Sequence, residues 1–168
     1  MQSGSPFWRF SLSLYSRPGV PAACLALQDG FGADVNVFLY SLWCGLKGRQ
    51  LAPQDASSVR AVVEDWRVGV VVPLRTARRN LKTPPAAFGE LSESLRTIIK
   101  SAELESERLQ QEVLFAHRPV GDIGTAQDPA LAVPANVQAY ADVLHVTFDP
   151  APVSVLLAAL SHIKDNHS

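Results

Sequence analysis

Apolar side chains recur along most of this chain at intervals of three and four, the spacing of one face of an α-helix. Ser5 followed by Pro6 reads as a cap and a proline at the first helical position. Phe7, Phe10 and Leu14, with Trp8, Leu12 and Tyr15, then form a wide apolar surface on a short helix that Pro18-Gly19 ends near Arg17. A second helix is predicted from Val20 to Asp29, with Ala23, Cys24 and Leu27 inward and Gly30 as its left-handed cap. Asp34 can cap a third, in which Val35, Phe38, Leu39, Leu42, Trp43 and Leu46 keep the helical template without a gap. Val37, Tyr40 and Cys44 fill most of its other side. A helix apolar nearly all round is normally the central one of a bundle.

The pattern then becomes less regular. A fourth helix should begin near Pro53 or Asp55 and carry Val59, Val62, Val63 and Trp66. The β-branched run Val68 to Val72 suits a strand but lacks a partner, so a helix from about Val68 to Lys82, kinked or restarted at Pro73, is favoured. After Thr83-Pro84-Pro85, the residues Phe88, Leu91, Leu95, Ile98 and Ala102, resumed by Leu109 and Val113, predict a long helix over 85–115. At ~30 residues it would measure ~45 Å, longer than a compact domain of this size is wide. It should therefore bend, break near Glu105, or project and pack against something else. Residues 117–135 read as an internal loop, followed by helices at about Asn136 to Leu144 and Pro152 to Ile163, with Asp149 as cap of the last. Residues 143–148 could form a short strand instead, and 164–168 read as a flexible tail. The expected architecture is a single all-α domain over 1–168, a bundle of about seven or eight helices including one long one.

Composition narrows the function classes. The chain has 168 residues, 47% hydrophobic and 18% charged, with 15 Lys+Arg against 16 Asp+Glu. A pI near 6.4 disfavours nucleic acid as a partner, since a binder would show a dominant basic face. The most apolar stretch, Val35 to Leu46, is too short for a membrane span, which needs ~20 residues. The first residues lack a basic region before an apolar one, which argues against a secretory signal. Cys24 and Cys44 are too few for a disulfide scaffold, and both fall in apolar helices where a thiol acts as a small inert hydrophobe. The chain thus reads as a soluble cytoplasmic protein with reduced thiols. No phosphate-binding, zinc-protease or nucleophile-elbow motif occurs, so neither a cofactor nor a metal is expected.

Two polar groups stand out. Between Trp66 and Gly89 lie Arg67, Arg75, Arg78, Arg79 and Lys82 and no acid. On a helix the last four share one face, a basic ridge that could hold an anion or an acidic partner. The same cations could instead complement a helix C-terminus, or pair with acids of the next helix such as Glu90, Glu93 or Glu103. No Phe or Tyr is interleaved with them, which weakens a single-strand nucleic-acid reading. The second group is Gln28, Asp29, Asp34 and Asn36, beside the two most apolar helices. Asp29 and Asp34 could serve as cation ligands or acid–base groups. More simply, Asp34 is an N-cap and Asp29 pairs with an arginine, either Arg9 or one of the ridge. The tryptophans Trp8, Trp43 and Trp66 each belong to an apolar stripe and suggest a shared aromatic core.

The run Phe7-Trp8-Arg9-Phe10-Ser11-Leu12, then Leu14-Tyr15, Pro18-Gly19-Val20, Ala23-Cys24-Leu25, Leu27-Gln28-Asp29, Asp34-Val35-Asn36 and Leu42-Trp43, resembles the N-terminal block of an uncharacterised, mainly proteobacterial family of unknown function. Trp66-Arg67 through Leu81-Lys82 resembles its second block, and the likeness spans roughly the first 115 residues. It implies a bacterial, cytoplasmic, helical protein and brings no activity, cofactor or catalytic residue. Its residues do unite the two polar groups, which suggests that they meet, with Asp29 or Asp34 neutralising Arg67 or Arg75. The function expected is that of a non-enzymatic interaction or regulatory protein, docking a protein partner or a second copy through the 85–115 helix and the basic ridge. The alternative is a small-molecule enzyme or binding protein holding an anionic ligand between Asp29, Asp34, Asn36 and Arg75, Arg78.

Overall fold

The computed structural model describes residues 4–164. Eight α-helices run in the order α1 (Pro6–Tyr15), α2 (Val20–Phe31), α3 (Val35–Leu46), α4 (Pro53–Trp66), α5 (Val72–Asn80), α6 (Glu93–His117), α7 (Pro129–Leu144) and α8 (Pro150–Lys164). The all-α expectation holds. The flexible tail expected at 164–168 lies outside the described residues apart from Lys164, which closes α8.

Local chemistry sets the boundaries. Ser5 Oγ accepts from Trp8 N at 3.1 Å, Asp34 Oδ1 from Asn36 N at 2.9 Å and Asp149 Oδ1 from Ala151 N at 2.9 Å, so α1, α3 and α8 begin on side-chain caps. Gly32, at φ 67°, ends α2, two residues beyond the expected Gly30. α3 is the central helix, with Asn36 to Gly45 all buried. It packs chiefly against α7, while α2 packs against α8 and α5 against α6. Phe7, Phe10, Tyr40 and Trp43 meet edge-on or tilted, as do Phe38, Tyr140 and Phe148, giving two aromatic knots on opposite sides of α3. Trp8 and Trp43 are buried, but Trp66 is 38% exposed, so the shared core of three tryptophans does not form.

Three segments depart from the sequence reading. Residues 67–71 form neither a strand nor an α-turn: they are a π-helix joining α4 and α5 into one rod from Pro53 to Asn80. Val72 N bonds Arg67 O, five residues back, and this wider turn lies just ahead of Pro73, which has no N–H to give. The long helix starts at Glu93 rather than 85, after a 3₁₀ turn at Gly89–Ser92, and its 25 residues run unbroken past Glu105. The loop expected over 117–135 ends at Asp128, whose Oδ1 accepts from Ala130 N at 2.7 Å and starts α7 with Pro129 in its first turn. Pro134 lies inside that helix rather than marking a loop.

The sheet is small: β1 (Arg49–Gln50) pairs antiparallel with β2 (Thr125–Ala126). Residues 143–148 are not a strand, because α7 continues to Leu144 and His145 caps it at φ 55°. Buried Asn136 of α7 ties this region together, accepting from Leu51 N at 2.7 Å and donating to Ser41 O at 3.0 Å and Arg49 O at 2.9 Å.

Gly45 marks the closest approach of α3 and α7. A Cβ there would lie 2.8 Å from Val133 Cα and 2.9 Å from Val133 N, a backbone that cannot swing aside. Gly45→Ala should therefore destabilise the fold by about 1–3 kcal/mol, although alanine is the better helix former. Urea denaturation of the two proteins checks this; equal or greater stability in the variant would contradict the close packing.

A candidate site in the polar seam beneath the long helix

The first turn of α3 presents Asp34 and Asn36, both buried. Asp34 Oδ2 accepts from Gln110 Nε2 at 2.5 Å, and its backbone N–H donates to Tyr140 Oη at 2.8 Å. Asn36 donates through Nδ2 to Gln110 Oε1 at 3.0 Å and accepts from Gln111 Nε2 at 2.7 Å. Arg67, in the π-helical turn, brings its Nε to 3.9 Å from Asp34 Oδ2. The Asp34–Asn36 group and the arginine series therefore meet, through Asp34 and Arg67.

One turn along α5, Arg75 donates to Glu103 Oε1 at 3.2 Å and to Glu107 Oε1 at 2.8 Å. Arg78 forks onto both oxygens of the same Glu103, so one buried carboxylate serves two guanidinium groups. Of the acids expected to face the ridge, Glu103 does so, whereas Glu93 pairs with Arg96 in its own helix at 2.8 Å. Arg79 reaches Asp29 at 3.0 Å on the surface, where Gln28 also donates to Asp29 at 3.4 Å. Lys82 is exposed and enters no ion pair among the described residues. The ridge is thus mostly an internal set of ion pairs. Glu107, Gln110 and Gln111 carried one mark in the sequence: with Glu103 they recur at helical spacing, a polar stripe beside the apolar one.

The electrostatics follow burial. Desolvation pushes the Asp34 carboxyl up, against the pull of Gln110 and Arg67, and does the same at Glu107 against Arg75. At Asp29 desolvation, the largest single influence, is outweighed by the hydrogen bonds from Arg79 and Gln28 and the nearby guanidinium charges together, which hold that carboxyl below its usual range. Burial raises both cysteine thiols to about 12, so neither is a nucleophile near neutral pH. Both oxygens of Asp34 and of Glu103 accept hydrogen bonds from the chain itself. Concavities of about 310 and 240 Å³ lie elsewhere, one lined by Asp55, His117 and Arg118, the other by Leu46, Val133 and Leu157. Among the described residues no three metal-ligating side chains are grouped. What this arrangement does chemically is clamp helices together.

The family model described as "Protein of unknown function (DUF2390)" matches residues 6–114. The chain belongs to this family. No curated protein and no solved structure matches it. Within the DUF2390 match fall Asp34, Asn36, all five cations of the arginine series and their partners Glu103, Glu107, Gln110 and Gln111. Tyr140 of α7 comes from outside it.

The other face of α6 holds a contrasting feature. Phe88, Leu91, Leu95 and Ile98 are 61%, 83%, 48% and 65% exposed, and Ala102 is exposed as well. The residues of α6 that are buried are instead Glu103, Ser106, Gln110, Gln111 and Leu114. The apolar line therefore faces out, because the polar line beside it has the hydrogen-bonding partners. Trp66 flanks the stripe, its indole N–H donating to Ser106 O at 3.0 Å.

Two outcomes follow from the seam. Glu103→Ala strands Arg78 and half of Arg75, and should cost about 3 kcal/mol in chemical denaturation, with Glu103→Gln losing less. A loss below ~1 kcal/mol in the alanine variant would show that the seam contributes little. For Asp34, a raised folded-state value means that the folded chain holds the proton more tightly than the unfolded one. Below that value and down to the ordinary 3.8, each step toward acid favours the fold, and the benefit is lost as pH rises through the folded value. The stability of the wild type minus that of Asp34→Asn, which can still cap α3, should grow from about pH 7 to about pH 4. A difference that shrinks toward acid would contradict the burial of that charge.

Proposed function

We propose that this protein is a non-enzymatic, cytoplasmic interaction or regulatory protein that docks a protein partner through the outward apolar face of 88–113. One observation carries the reading: a line of large apolar side chains, Phe88 and Leu91 in the turns that lead into α6 and Leu95 and Ile98 on it, stands in water, and the helix is fixed to the body by its polar side. Exposed patches of this kind on otherwise well-packed proteins mark interaction sites. The reading leans on the apolar face more than on the basic ridge, since Arg75, Arg78 and Arg79 are each committed to a carboxylate of the same chain. Support for the non-enzymatic part comes from the seam's carboxylates, Asp34 and Glu103, which are spoken for by neighbouring side chains. Two unpaired, buried cysteines are in keeping with a reducing compartment, and no helix among the described residues is long and apolar enough to cross a membrane.

A photo-crosslinking benzoylphenylalanine placed at Leu95 in cells tests the reading. The expected result is a discrete protein adduct that disappears when Leu91 and Ile98 are both changed to serine, while far-ultraviolet circular dichroism and thermal midpoint stay unchanged. Absence of any protein adduct, or an adduct indifferent to those changes, would overturn it.

A further inference from the structure

We infer that the occupant of the α6 stripe is a second copy of this chain, packed antiparallel about a two-fold axis beside Leu95 and Ile98. The inference rests on the docking reading and names its partner. The exposed fractions of Phe88, Leu91, Leu95, Ile98 and Ala102 amount to an apolar area on the order of 600 Å², the upper end of what a monomer leaves uncovered. Contributed twice across an isologous interface, it gives on the order of 1,200 Å², where specific protein–protein interfaces begin.

Spacing and charge favour self-pairing. With Leu95 opposite Ile98 of the second copy, antiparallel packing brings Leu91, in the 3₁₀ turn that leads into α6, toward Ala102, large against small. No charged residue lies on the stripe from Phe88 to Ala102. The next position along it, Glu105, is neutralised by Arg108 of its own helix at 2.6 Å. A formal charge of -1 leaves little repulsion between two copies.

The purified full chain should sediment as a dimer at micromolar concentration. Ile98→Glu, which sets two carboxylates near the axis, should weaken dimerisation by roughly 100-fold with helical content unchanged. Register is read by mixing Leu91→Cys chains with Ala102→Cys chains under mild oxidation, the native cysteines being buried. A disulfide between the two variants, and little within either alone, is the result expected. A monomer at 100 μM or more, a dimer untouched by Ile98→Glu, or like-with-like disulfides would each overturn the inference. If the in-cell adduct at Leu95 contains a different protein, self-pairing falls and docking stands; if there is no adduct and no dimer, both fall.

Discussion

Glu103 accepts from Arg75 and Arg78 at once, and Arg75 reaches on to Glu107. No residue of α5 is fully buried, so α5 and α6 are joined by these charges rather than by an apolar interface. A carboxylate taken out of water is costly unless its partners are held in place, and here the cost is met by guanidinium groups brought in on one helical face. The demand for partners orients α6. Its polar line must face α3, α4 and α5, and its apolar line, set to one side on the same cylinder, is left to solvent.

The seam continues without a break into the cap of the central helix. Gln110 bonds both Asp34 and Asn36, so the residue that starts α3 is fixed by the helix that clamps α5. Tyr140 then links the same turn to α7. Polar contacts thus decide how the helices are placed relative to one another, while the aliphatic and aromatic core around α3 supplies the bulk of the burial. The seam specifies, and the core stabilises.

Much of the fold was legible because caps and stripes agreed. Ser5, Asp34 and Asp149 announced their helices, and the gapless pattern from Val35 to Leu46 marked the buried rod. The pairing of cations with Glu103, and of Asp34 with Arg67, was legible as a class of contact but not as a set of partners. For α6 periodicity supplied two stripes and no rule for choosing between them, because which one turns inward depends on hydrogen-bond partners more than sixty residues away in sequence, at Asp34 and Asn36. Pro134 misled for a different reason, being a poor helix residue in isolation that a helix already begun at Asp128 tolerates, whereas the valine run at 68–72 is helical as favoured, its π-helical turn alone being unforeseen.

That widened turn works as a phase-setter. One residue more than an ordinary α-turn is threaded between Arg67 and Val72, so everything downstream is rotated by about 100° about the rod's axis relative to α4. Were the turn to close as an ordinary α-turn with every residue kept, the guanidinium groups of Arg75 and Arg78 would swing away from Glu103. The rod from Pro53 to Asn80 thereby carries one residue more than its path requires, and a deletion within the π-helical turn would close it to an ordinary α-turn with Arg75 and Arg78 still beside Glu103.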